Sequence, residues 1–161
     1  MKFVEVIDSF SHIRKVPVDQ IQDRYGVYGL ILRDRKILLM RVKQNNTFWF
    51  VGGAIEAGED QEQALRREAL EETGLQITID RLFMRHDYFF HMSHKSKDFH
   101  CYNSYYLCRT NDELSVQHTV VDEIADCPHW EDVATLRKEQ FHPVVWSVVE
   151  KLQTEIQGHQ K

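Results

Sequence analysis

Cysteine, proline and long apolar runs are all scarce in this 161-residue sequence. The three cysteines, Cys101, Cys108 and Cys127, are odd in number and include no CxxC pair. That argues against a disulfide framework or a zinc site and for buried thiols in a reducing compartment. Three Pro and seven Gly exclude a collagen-like or low-complexity chain, and no Ser/Gly/Pro-rich stretch marks a linker. No segment approaches the ~18 consecutive apolar residues of a membrane span. The start, MKFVEVIDSFSH, lacks the basic-then-apolar order of a secretory signal. Basic charge is not in excess either. A net charge of −5 argues against a general nucleic-acid binder, because neutralising phosphates needs a basic surface. With 42% hydrophobic residues the chain can bury an ordinary core. The expectation is one cytoplasmic domain over residues 1–161.

What is present is unevenly placed. Between Glu56 and Glu72 stand seven acids and two bases, an excess of five acids that equals the net charge of −5, so the rest of the chain is balanced. A cluster this local is either a solvated helix face or a cation site.

The pattern predicts its surroundings. Phe3–Ile7 alternates like an edge strand, and the rest of the first 24 residues gives no clear signal. Tyr25–Arg33 and Lys36–Lys43 are β-prone runs around Asp34-Arg35, which predicts a hairpin. Asn45–Thr47 reads as a loop, and Phe48–Val51 as a short strand stopping at Gly52-Gly53. Asp60 as N-cap, Gln63 as its capping-box partner and Gly74 as a left-handed stop predict a helix over 60–73. Ile77–Phe90 and Phe99–Arg109 read as long strands joined through the polar tip His91–Asp98. Val120–Ala125 and Cys127–Trp130 predict a further extended segment, and Glu131–Arg137 a short helix. Val144, Val145, Val148, Val149, Leu152 and Ile156 have the spacing of an amphipathic closing helix, with His142 at its start. The expected fold is an α/β sandwich built on a mixed sheet.

On the central helix, Glu71 and Glu72 fall about 60° and 40° to either side of Glu68 at 100° per residue. Three carboxylates on one face repel unless something neutralises them, and a hard divalent cation with oxygen ligands does so. Arg67, at the edge of that face, can reach Glu71.

The residues from Gly53 to Leu75 form the array G-x5-E-x7-R-E-A-L-E-E-T-G-L. It resembles the signature of the Nudix hydrolases, GX5EX7REUXEEXGU, with Ala69 where a bulkier aliphatic is usual. The resemblance implies an α/β/α sandwich and cleavage of a diphosphate bond. It implies that Glu68, Glu71 and Glu72, with the Gly53 carbonyl, bind Mg²⁺ or Mn²⁺. By the same resemblance Arg67 holds Glu68 or Glu71, and Glu59 ties the loop to the helix. The base would be Glu68, or a later-loop acid such as Glu123, with Asp122 beside it; an exposed turn residue is the plain alternative for Glu123.

Outside the box the reading is thinner. Arg41 stands where relatives often carry a phosphate contact, or is a strand-end Arg lying along the surface. Trp49 and Tyr88 are stacking surfaces for a base, or core aromatics. His86, His91, His94 and His100 read as polar residues around a hairpin tip, although His91 and His94 could imitate a metal pair. Phe90 and His91 stand where typical ADP-ribose hydrolases of the family carry proline. The tyrosine of dinucleoside polyphosphate hydrolases is absent as well. Val51 replaces the proline of coenzyme A and many sugar-nucleotide hydrolases, and no SQPWPFPxS-like motif occurs. By elimination the expected substrate is a small nucleotide, a nucleoside triphosphate or a damaged form. An RNA 5′-end pyrophosphohydrolase and a non-catalytic nucleotide sensor stay open as alternatives. No membrane partner is expected, and a homodimer through strands or the last helix would suit the family.

Overall fold

The computed structural model describes residues 1–114 and 125–158. Strands β1 (Phe3–Asp8), β2 (Ile13–Pro17), β3 (Gln22–Arg33), β4 (Lys36–Val42) and β5 (Phe48–Ala54) precede helix α1 (Gln61–Thr73). Strands β6 (Thr78–Met92), β7 (Lys97–Arg109) and β8 (Ala125–Asp132) follow, and helix α2 (Pro143–Gly158) comes last. The strands form one mixed sheet in the order β2-β1-β6-β7-β3-β5-β4-β8. β3 runs parallel to β7 from Gln22↔Phe99 to Leu32↔Arg109. It also pairs antiparallel with both β5 and β4, which curls the sheet.

Alternation along the strands sends side chains to two faces. On one, Tyr28, Leu30, Leu39, Phe50 and Tyr105 pack against Val145, Val148, Val149 and Leu152 of α2. On the other, Val27, Ile31, Leu38 and Val51 pack against Ala64, Leu65 and Ala69 of α1. The sandwich expected from the sequence is therefore present, with a helix on each face. Each such aliphatic or aromatic side chain, fully buried, stabilises the fold by about 1.5–3 kcal/mol before chain entropy is counted. Ala69 is fully buried, so its small size sets how closely the middle of α1 approaches the sheet.

Local chemistry fixes the ends of α1. The Asp60 carboxylate accepts the Gln63 N–H at 2.8 Å, and the Gln63 side-chain oxygen accepts the Asp60 N–H at 2.9 Å. Gly74, at φ 71°, closes the helix by donating its N–H to the Leu70 carbonyl at 2.9 Å. The β3–β4 turn is the expected Asp34-Arg35 pair, with Asp34 at φ 55°.

Four expectations are corrected. The edge position goes to β2, which the sequence did not signal, while β1 lies inside, antiparallel to β2 and parallel to β6 at Ile7↔Phe90. β5 does not stop at Gly52-Gly53; both glycines pair with β3, opposite Tyr28 and Val27. β3 begins at Gln22, because β7 supplies a parallel partner for residues that show no strand pattern of their own. The short helix expected over Glu131–Arg137 is reduced to a single 3-10 turn of helix, Val133–Thr135, because β8 runs on to Asp132, held opposite Lys36. Pairing with β4 outweighs local preference there. Residues 120–124 of the expected extended segment lie outside the described residues. No helix among the described residues is long and apolar enough to cross a membrane.

Candidate active site

The box begins as a set of bonds around one guanidinium. Arg67 donates from Nε and Nη2 to the two Glu59 oxygens at 2.6 and 3.0 Å. From Nη1 it reaches Glu68 at 3.0 Å and Glu71 at 3.1 Å. Nη2 also donates to the Ala54 carbonyl at 3.2 Å, so one side chain joins the end of β5, the Glu56–Glu59 loop and α1. Glu59 in addition accepts the Glu56 N–H at 3.0 Å. The Arg67 bonds, with that backbone bond, pull the Glu59 carboxyl down to about 2.

Glu68 lies against the sheet beside Gly53. Burial raises its pKa, and the Arg67 hydrogen bond opposes the rise only in part. Glu72, one helical turn on, accepts the Gly52 N–H at 2.8 Å. Gly52 holds φ 142°, a conformation side-chain-bearing residues avoid, and a Cβ there would meet the Val27 carbonyl oxygen at 2.1 Å. Gly52 thus lets β5 lie close against β3, and Gly53 leaves room for Glu68 of the helix that carries the acids.

Gly52, Gly53 and Glu72 form one rim of a cleft of about 320 Å³. Tyr28, Phe50, Tyr88 and Phe90 line it, as does Trp49, whose ring stands edge-on to Tyr28 at 6.5 Å. Ser9, Gln44, Asn45, Thr47, His94 and Lys95 surround the far end. There the Asn45 amide donates to the Ser9 carbonyl at 2.9 Å and ties the first hairpin to the β4–β5 loop. His142 completes the wall: its Nε2 bonds the Asp8 carbonyl at 2.8 Å and its Nδ1 accepts the Val144 N–H. Those bonds select the neutral Nε2–H tautomer, and burial lowers its pKa.

The structure brings Gly53, Glu68, Glu72, Trp49 and Tyr88 to or beside the cleft. Arg41 is elsewhere, with its guanidinium 5.7 Å from the Phe48 ring centroid and outside the cleft lining. Glu123 and Asp122 lie outside the described residues. The histidines do not act as one patch. His91 bonds Asp98 at 2.9 Å, His100 bonds Asp87 at 2.6 Å, and His86 reaches the Val144 carbonyl at 2.8 Å. Sequence reasoning missed Arg24 in the cleft wall and gave His142 only its place before α2. Neither belongs to a motif, and both reach the cleft through strand and helix packing.

Carboxylate oxygens are the donors Mg²⁺ and Mn²⁺ prefer, and here one arginine faces Glu59, Glu68 and Glu71 together. By charge and donor type the box fits a divalent cation. As the side chains stand, no three His, Cys, Asp or Glu residues among the described residues converge on one point. Glu68 and Glu71 turn toward Arg67, and Glu72 toward Gly52.

The NUDIX domain model matches residues 22–152. An ADP-ribose pyrophosphatase from Methanocaldococcus jannaschii is 48% identical over 53 residues, covering 31% of this chain and 31% of that protein. A MutT-like protein from Streptomyces ambofaciens is 37% identical over 58 residues, covering 35% of this chain and 38% of that one. The chain thus spans about a third of the length of the curated relatives it matches. A NUDIX hydrolase structure from Nitrosomonas europaea superposes with a TM-score of 0.64 at 18% identity, over 83% of this chain and 90% of that one. The last is a likeness of fold. With the domain model spanning β3 to α2 and the box arrayed along α1, the chain belongs to the Nudix family.

Proposed function

We propose that the protein is a Mg²⁺- or Mn²⁺-dependent pyrophosphohydrolase that cleaves the diphosphate bond of a nucleoside diphosphate linked to another moiety. Nucleoside triphosphates or their damaged forms are the substrate class we favour, because markers of the other subfamilies are missing from the sequence. The observation that carries the reading is the junction of two features. The carboxylate helix and an aromatic-walled cleft meet at Gly52, Gly53 and Glu72.

In this reading Glu68, Glu71 and Glu72 hold the cation, which when bound supplies positive charge to the phosphate oxygens. Arg67 sets the carboxylates before the cation arrives and offsets their mutual repulsion. Glu68, whose carboxylate lies against Gly53 at the cleft rim, is the first choice as proton acceptor. The aromatic wall offers flat apolar surface to a base.

The testing experiment is a substrate panel with Mg²⁺ and Mn²⁺, reading phosphate and pyrophosphate release, with Glu72→Gln as control. It includes ordinary and oxidised nucleoside triphosphates, dinucleoside polyphosphates and 5′-triphosphate RNA. ADP-ribose is included because of the name of one relative. Metal-dependent release abolished in the variant supports the proposal. Silence across the panel, with metal-independent binding of one compound, replaces it with a sensor.

A further inference from the structure

We infer that Arg24 takes a phosphate of the bound nucleotide, on the nucleoside side of the bond that is cut. The inference rests on the pyrophosphohydrolase reading above.

Arg24 belongs to β3, where it stands opposite Cys101 of β7, and Cys101 in turn stands opposite Tyr88 of β6. These three residues form one row across neighbouring strands, and all three line the cleft. Tyr28, four residues further along β3, shares their face and is paired with Gly52 of the box rim. Arg24 is thus set back from the carboxylates along the same floor.

Its bonding differs from that of six other arginines. Arg14, Arg33, Arg66, Arg67, Arg81 and Arg109 each pair with a carboxylate. Arg24 instead reaches the Tyr28 hydroxyl, from Nη1 at 3.5 Å, and hydrogen-bonds the Cys101 sulfur. Its Nε is buried and has no partner. A guanidinium carries five N–H donors in a planar fork that suits phosphate oxygens, and a half-buried fork left unmatched is unfavourable unless something occupies it.

The chain makes room for this fork. A Cβ on Gly26 would lie 3.0 Å from Arg24 Nη1 and 2.4 Å from the Asn103 side-chain oxygen. Asn103 is 3% exposed, and neither its Nδ2 nor its Oδ1 has a partner. Gly26, Asn103 and Arg24 thus form a polar recess beside the cleft that Tyr28, Trp49, Phe50, Tyr88 and Phe90 line. Among the described lining residues only Lys95 also carries formal positive charge, and it is exposed at the far end. A nucleotide with its scissile bond at the acidic rim and its base on the aromatic wall passes its remaining phosphate over Arg24.

The test titrates the intact protein with AMP, GMP, CMP and UMP and with the matching nucleosides, in EDTA, by calorimetry. Wild type, Arg24→Met and Arg24→Lys are compared, and melting temperature is recorded for each. Wild type is expected to bind at least one monophosphate tenfold or more tighter than its nucleoside. Arg24→Met should erase that preference with nucleoside affinity unchanged, and Arg24→Lys should keep part of it. With a substrate from the panel, the Met variant should raise KM more than it lowers kcat. A preference that survives Arg24→Met overturns the inference, as does a wild type without one. Loss of folding in both variants makes Arg24 structural and overturns it too. Binding as expected with no hydrolysis of any panel compound would instead sink the pyrophosphohydrolase reading and leave the phosphate contact standing.

Discussion

Gly53 and Glu68 are in such close apposition that a Cβ on the glycine would lie 2.5 Å from the carboxylate Oε1 and 2.8 Å from its carbon. The obstacle is the far end of a side chain, which can move. Gly53→Ala should therefore fold with a nearly unchanged melting temperature and misplace Glu68, lowering turnover ~10²-fold. Its neighbour should behave in the opposite way. At Gly52 the obstacles are the Val27 carbonyl oxygen at 2.1 Å and the Tyr28 Cα at 2.7 Å, and φ is 142°. Gly52→Ala should cost about 3 kcal/mol or more and show first as a lowered melting temperature. Equal effects on stability from the two variants would contradict the geometry.

Glu68→Gln and Glu72→Gln remove charge from the box without changing its shape. Each should cut turnover by at least ~10²-fold with the fold intact by circular dichroism. Near-wild-type rates for both would remove these residues from the site.

Acid should loosen the Arg67 hub through Glu59. Its folded pKa, about 2, lies below the ordinary 4.5. The folded state therefore binds its proton less readily, and the stabilisation is complete above pH 4.5 and lost as pH falls toward 2. Melting curves of wild type and Glu59→Gln across that window should converge at the acidic end. A constant gap would mean that Glu59 does not titrate as its bonds imply.

His142 gives a second pH effect, in a higher window. Its pKa is lowered from 6.5 by burial, which its bond to the Asp8 carbonyl only partly offsets. The folded state thus holds fewer protons than the unfolded one, so stability is full above pH 6.5 and declines as the solution is acidified through and below that value. An NMR titration should find this imidazole titrating below an exposed histidine. A midpoint at or above 6.5 would contradict the buried neutral ring.

How much of this could be read in advance differs from place to place. Helix α1 was legible to within a residue, because Asp60, Gln63 and Gly74 act within one or two turns of themselves. The Asp34-Arg35 hairpin and the span of α2 were legible for the same reason: turn chemistry and apolar spacing are local. β2, the first residues of β3 and the end of β8 were not, since each is held by a distant strand rather than by its own pattern. The carboxylates were visible as a charge cluster at helical spacing. Arg24 and His142 were not, because an arginine in a weakly patterned stretch and a histidine before a proline acquire meaning only from what the sheet places beside them.

The bond between His142 and the Asp8 carbonyl spans 134 positions. β3, too, must wait for β7 before its longest pairing can form. During synthesis the first hairpin therefore emerges long before its seat does, and the unpaired flank of β3 stays open while the box helix is being made. Such distant pairings slow folding and prolong the exposure of strand edges. In this molecule the cleft wall is completed by the residue that introduces helix α2, so the site cannot be assembled until that residue has met the first hairpin.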